Sequence, residues 1–183
     1  QARPTDHSSV GVTGIDKRPA ARIEVRAPGP KTGGLGSGVL GDAISDRKHH
    51  GGDTQAVYAF AREELTWWEG ELGRELRDGM FGENLTTQDL DVDGAVIGEQ
   101  WVIGVGEDAV VLEVCGPRIP CRTFAGHLGE RSWVKRFSAR ARTGAYLAVV
   151  RPGVIEPGMP VAVRGRPGHG ITVPEVFAAF MGD

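Results

Sequence analysis

The chain has two cysteines, and their neighbours differ. Cys121 follows Pro120, which stiffens the backbone before it, and Arg118 and Arg122 flank it with positive charge. Cationic neighbours favour thiolate over thiol, and a thiolate is both a nucleophile and a soft metal ligand, so Cys121 is the leading candidate for either role. Cys115 ends the run Val110, Val111, Leu112, Glu113, Val114, where a small hydrophobe fits, and packing is its expected role. A disulfide between the two is the weaker alternative, because two cysteines in 183 residues are far from the density of a disulfide scaffold.

A second cluster reads Asp46, Arg47, Lys48, His49, His50, Gly51, Gly52, Asp53. Paired glycines remove side-chain bulk and permit positive φ, so a ligand can approach backbone N–H groups while Arg47 and Lys48 neutralise a phosphate. A polar turn shaped by Gly51 and Gly52 explains the same residues equally well. In extended backbone His49 and His50 point to opposite faces, and no C-x-x-C or H-x-x-x-H spacing accompanies them, which argues against zinc. Either imidazole titrates near neutral pH and is a candidate proton donor. In a third cluster, Met80 to Thr87, Glu83 and Asn84 are candidates to orient a ligand, with ordinary turn chemistry as the competing explanation. Arg131, Lys135, Arg136, Arg140 and Arg142 form a basic stretch that reads either as a phosphate contact or as a solvated helix face. No serine nucleophile elbow, Walker loop or G-x-G-x-x-G after a strand is present.

These residues need a scaffold. Strand character falls at Arg22 to Arg26, Ala56 to Phe60, Glu99 to Val105, Ala109 to Cys115, Tyr146 to Val150 and Val161 to Arg164. Helical periodicity marks Arg62 to Leu72, with Leu65, Trp68 and Leu72 on one face, and a segment from about Gly129 to Phe137. Thr172 and Glu175 have capping-box spacing before a closing helix, and Pro174 suits its first turn. With 28 Gly and 11 Pro the chain is no helical bundle. The expected fold is mixed α/β, mainly β: a closed or nearly closed β-barrel core with a few peripheral helices, an open α+β sheet being the runner-up.

A loose N-terminal segment, 1–12, and one domain over 13–183 are expected. The charge balance, 21 Lys and Arg against 24 Asp and Glu, excludes nucleic-acid or membrane-surface binding driven by overall charge. No apolar run approaches the ~20 residues of a membrane span, and the first ten residues lack the apolar core of a secretory signal, so a cytoplasmic protein with reduced cysteines is expected.

Taken in order, Asp46 to Gly52, Phe81-Gly82-Glu83-Asn84-Leu85 and Pro117-Arg118-Ile119-Pro120-Cys121 occur as they do in MOSC domains, and the chain resembles a stand-alone bacterial MOSC protein from about Thr13 to Arg164. The name stands for molybdenum cofactor sulfurase C-terminal domain. The resemblance implies a β-barrel-centred fold that binds molybdenum through its pterin dithiolene cofactor, with Cys121 as the protein's thiolate ligand. It implies cofactor contacts from Arg47, Lys48, Gly51, Gly52, Glu83, Asn84, Arg118 and Arg142, and catalytic roles for Cys121, His49, His50 and Asn84.

Relatives of the amidoxime-reducing type reduce N-hydroxylated compounds, and similar bacterial proteins are linked to detoxifying hydroxylaminopurines. The implied activity is therefore that of a molybdenum-dependent oxidoreductase. Without an Fe–S cysteine pattern or a flavin or nicotinamide fingerprint, a separate electron-donor protein is expected. A carrier of the cofactor, or of a persulfide on Cys121, is the alternative. No pyridoxal-phosphate desulfurase segment accompanies the domain, so sulfuration by the chain itself is not expected.

Overall fold

The computed structural model describes residues 2–6, 8 and 11–182. A six-stranded sheet, curled into a half-barrel, is the scaffold. Its strands are β4 (Val57–Ala61), β5 (Leu85–Thr87), β6 (Gln100–Ile103), β7 (Val110–Pro117), β8 (Ala145–Arg151) and β10 (Val161–Arg164), in the spatial order β10-β6-β7-β8-β4-β5. Only β4 and β5 run parallel; the other neighbours are antiparallel. Two short ladders flank it, β1 (Arg3–Pro4) with β2 (Val12–Thr13) and β3 (Ile23–Val25) with β9 (Gly153–Ile155). The fold is mainly β with peripheral helices, as expected, although β10 and β5 form the two edges of the sheet and do not pair with each other.

The helices are α1 (Arg62–Leu72), α2 (Arg122–Leu128), α3 (Trp133–Arg140) and α4 (Val173–Met181). α1 has the expected bounds, buries Leu65 and Trp68, and ends on Gly73 in the left-handed region. α4 starts on the expected Thr172–Glu175 capping box. The helix expected from Gly129 is shifted: Gly129 is the left-handed C-cap that stops α2, a helix the periodicity did not reveal, and α3 begins only at Trp133. Near the N-terminus, Arg3 and Pro4 pair with Thr13 and Val12, and Thr5 N–H donates to Gly11 O at 3.0 Å.

β4 is buried on both faces, so its alternating side chains feed two cores. Val57, Ala59 and Ala61 join the aliphatic core with Trp101, Leu112 and Leu147. Tyr58 and Phe60 enter an aromatic core with Trp68, Phe81, Phe124, Trp133 and Phe137, which α1, α2 and α3 cover. Gly144 lets β8 pass close to β4: its φ is +69°, and a Cβ there would sit 2.4 Å from Ala59 O.

Candidate functional site

A cleft of about 600 Å³ opens beside Tyr58 of β4 and Tyr146 of β8. One wall is the β7–α2 junction. The strand runs on to Pro117, the segment 118–121 turns outward, and Cys121 is the extended N-cap residue of α2 (φ −130°, ψ 169°). This places the half-buried Cys121 side chain on the cleft. Cys115 lies back inside β7 and does not line the cleft; its thiol donates to Glu113 O at 3.4 Å, and burial pushes that thiol above its ordinary range. Both cysteines are free.

Arg118 also lines the cleft, yet it is only 6% exposed. Its guanidinium lies 3.9 Å from the Phe124 ring centroid and 4.9 Å from that of Tyr58, and it donates to Phe81 O. Arg122, the next cation along, is exposed on the cleft wall.

Both histidines line the cleft, but they differ in exposure and partners. Exposed His49 holds Asp46 Oδ2 through Nδ1 at 2.9 Å, a bond that keeps the Asp46 carboxyl below its usual range. His50 is half-buried on the cleft, and burial, with Arg118 and Lys31 nearby, pushes its imidazole below the ordinary histidine range.

Gly51 and Gly52 do have positive φ, 90° and 85°, but their N–H groups are spent inside the protein. Gly51 N–H donates to Gln55 Oε1 and Gly52 N–H to Gly36 O. A Cβ on Gly51 would lie 2.9 Å from Gly36 O, and one on Gly52 2.9 Å from Lys31 N. The pair packs the 46–52 loop against the 31–36 loop instead of presenting an anion cradle, and only Gly51 lines the cleft. Arg47 donates to the carbonyls of Gly34 and Leu35, and neither it nor exposed Lys48 reaches the cleft lining.

Glu83 is buried away from the cleft. Its carboxylate accepts from Gly79 N–H, Phe81 N–H and the Thr86 hydroxyl, so it braces the 79–86 turn. Asn84 does line the cleft, with its amide committed: Oδ1 accepts from Tyr58 N–H at 3.0 Å and Nδ2 donates to Asp42 Oδ2 at 3.0 Å. Arg142 sits beyond the end of α3, paired with buried Glu64 at 3.4 Å beside Arg140, and does not line the cleft.

Lys17 and Asp42 complete the cleft, and sequence reasoning passed over both. Asp42 accepts from Lys17 Nζ (2.6 Å), Ser37 Oγ (2.9 Å) and Asn84 Nδ2. Burial pushes the Asp42 carboxyl up, and these partners outweigh it, holding it below the usual carboxylate range. The Lys17–Asp42 and Asp42–Asn84 contacts join positions 25 and 42 residues apart, beyond any local pattern. The N-terminal segment contributes Asp6 and Ser8 to the rim.

The model of the MOSC domain family matches residues 46–162. YflK of Bacillus subtilis (strain 168) is 32% identical over 161 residues, 88% of this chain and 67% of that protein. A protein named "Reductase" from Gibberella moniliformis (strain M3125 / FGSC 7600) is 30% identical over 173 residues, and the chain spans 30% of its length. The crystal structure of YiiM from Geobacillus stearothermophilus superposes with a TM-score of 0.74 at 26% identity, covering 100% of this chain and 80% of that one.

Proposed function

Because this chain belongs to the MOSC domain family, we propose that its cleft binds a molybdenum cofactor through Cys121 and that it reduces N-hydroxylated compounds with electrons from a separate redox protein. The observation that carries this reading is the meeting of His50 with Arg118 and Cys121, from two separate stretches of the chain, on one cleft.

The donor set suits such a cofactor. Among the described residues no group of three or more His, Cys, Asp or Glu side chains is placed to hold an ion. A single soft thiolate on a cleft matches a metal that arrives with its other ligands in place, as a dithiolene-bound metal does. The volume falls in the range of cofactor pockets. Cys121 would hold the metal, and exposed Arg122 is a cleft cation available to an anionic tail. When bound, the cofactor supplies two-electron redox chemistry.

Removing oxygen from an N-hydroxyl group consumes two electrons and two protons and yields an amine and water. His50 moves the proton: kept neutral by burial and Arg118, its imidazole relays a proton from solvent to the departing oxygen. Asn84 contributes by fixing Tyr58 and Asp42 in the cleft wall. The name "Reductase" borne by the Gibberella relative supports this reaction class.

The test is metal analysis of the chain purified from a host that makes the cofactor, followed by turnover of a hydroxylamine with an artificial electron donor. Stoichiometric molybdenum that is lost in Cys121→Ser supports the binding reading. Bound molybdenum with no turnover would make the protein a cofactor carrier, and wild-type protein without molybdenum would overturn the proposal.

A further inference from the structure

The mouth of the cleft carries cations that no carboxylate claims. Loops 31–36 and 46–52 form one block: Arg47 donates to Gly34 O at 3.2 Å and to Leu35 O at 3.1 Å, and Gly52 N–H donates to Gly36 O at 3.0 Å. Asp46 and His49 of that block line the cleft, which puts Lys48, between them in the chain, at its mouth, and Lys31 lies near His50. Arg122, exposed on the cleft wall, extends the same field. Among the described residues no hydrogen bond or ion pair engages the side chains of Lys31 or Lys48, and Arg47 meets only carbonyl oxygens. The carboxylates on or beside these loops are Asp46, held by His49 Nδ1 at 2.9 Å, and Asp53, which accepts Gly29 N–H at 2.8 Å. A third, Asp6, reaches the rim from the N-terminal segment. The positive field is local, because the whole chain carries a net charge of −3.

Two large apolar side chains stand among these cations. Leu35, whose carbonyl Arg47 holds, is 53% exposed, and Ile119, on the cleft wall between Arg118 and Arg122, is 41% exposed. Apolar area to bury beside uncommitted charges that steer and orient is the make-up of a transient protein interface. A nucleic acid fits it less well: no Phe, Tyr or Trp stands in residues 31–36, 46–52 or 118–122 for a base to stack on, and the overall charge repels a long polyanion.

We infer that Lys31, Arg47 and Lys48, with Leu35 and Ile119, form the docking surface for a small acidic electron carrier, one whose own redox group is ringed by carboxylates. That the partner carries electrons rests on the reductase reading above; that it is an acidic protein rests on the surface alone. The surface borders the cleft opening, so a carrier seated on it brings its redox group up to the cleft. Each docked carrier gives up one electron and leaves oxidised, and two dockings supply the two electrons that cleavage of the N–O bond consumes. Charge complementarity of this kind raises the encounter rate and sets the orientation, while the complex stays weak enough to release the spent carrier.

The test is calorimetric titration of the full chain, prepared as for the metal analysis, with two acidic carriers, flavodoxin and a plant-type [2Fe–2S] ferredoxin, and with basic cytochrome c. The expected result is binding of an acidic carrier at low ionic strength that weakens as salt rises, and none of cytochrome c. Lys31→Glu and Lys48→Glu should each weaken it roughly three-fold or more and together about ten-fold or more, the lower end of what local charge does to encounter. Arg164→Glu makes the same charge change on β10, the sheet edge opposite β5, and should leave affinity within about two-fold. Leu35→Ser should weaken binding at every salt concentration. The readout needs no turnover, so the two readings fail separately: molybdenum-free protein that binds a carrier through Lys31 and Lys48 overturns the reductase reading and leaves the surface standing. Binding of neither carrier, or Arg164→Glu weakening it as much as Lys48→Glu, overturns the docking surface. So does tighter binding of a single-stranded oligonucleotide, or self-association that Lys48→Glu abolishes, which would assign these loops to nucleic acid or to a second copy of the chain.

Discussion

Asn84 Nδ2 donates to Asp42 Oδ2 at 3.0 Å while Asn84 Oδ1 receives Tyr58 N–H, so one carboxamide ties the loop that carries Asp42 to the strand that carries Tyr58. The arrangement needs a group that donates on one side and accepts on the other, and at neutral pH only an amide does both here. Asn84→Asp keeps the shape and places a second carboxylate against Asp42, which is partly offset by Lys17 alone. Two carboxylates in contact cannot both ionise cheaply, so one takes up a proton near neutral pH. The expected outcome is a lowered melting temperature at pH 8 that recovers toward wild type at pH 5. Asn84→Ala should lose about 1–3 kcal/mol, the usual cost of stranding buried partners, with little pH dependence. Thermal unfolding of both variants across pH checks the pair.

The two cysteines should respond oppositely to serine. Cys121→Ser removes the soft ligand from the cleft and should abolish molybdenum retention with little change in melting temperature. Cys115→Ser leaves metal content intact. Its hydroxyl inherits the Glu113 carbonyl that the thiol now meets at 3.4 Å, so the stability cost should stay below about 1 kcal/mol. Metal content and melting temperature measured on each variant separate the two effects.

Much of the scaffold was legible because its signals are local. The Thr172–Glu175 box, the α1 stripe of Leu65 and Trp68, and the apolar run of β7 each declare themselves within a few residues. The settings of Cys121 and Cys115 were legible for the same reason: a proline and flanking cations on one side, a strand interior on the other. Asp42 and Lys17 were not, because what makes them part of the site is contact with Asn84, Ser37 and each other across distant loops. Gly51 and Gly52 show how one local pattern serves two ends. Positive φ was readable, but whether the freed space admits a ligand or the 31–36 loop depends on residues far from the pair. Arg142 joined the basic stretch in sequence and left it in space, because Glu64 of α1 claims it.

That pairing yields its own expectation. Glu64 is buried and receives Arg140 through Nε and Nη2 at 2.9 and 2.8 Å, with Arg142 at 3.4 Å. Glu64→Ala leaves Arg140 partly exposed and on the Trp67 ring without its carboxylate, and should cost about 1–3 kcal/mol. Arg142→Ala removes a half-exposed partner of the same carboxylate and should cost less than about 1 kcal/mol, with molybdenum content unchanged. Loss of metal in Arg142→Ala at full stability would return that residue to the site.

Asp93 gives the fold a pH signature. Its carboxyl is buried and accepts Gly144 N–H at 3.2 Å in the turn whose neighbour, Thr143, offers its carbonyl to the Tyr58 hydroxyl at 2.7 Å. Burial pushes the Asp93 carboxyl up to about 6; Gly144 N–H and Arg142 oppose the rise, and Glu64 and Asp91 add to it. A carboxyl that holds its proton more tightly when folded favours the folded state below the unfolded value near 4, and that contribution fades as pH rises through about 6. Above that pH the ionised, buried Asp93 is a net cost of about 1–3 kcal/mol. Asp93→Asn keeps an oxygen for Gly144 N–H and has no charge to bury. It should unfold close to wild type at pH 4 and at a higher temperature than wild type at pH 8, the gap opening between those limits. Calorimetric melting at several pH values checks this, and a gap of constant size from pH 4 to pH 8 would show that Asp93 does not titrate in that window.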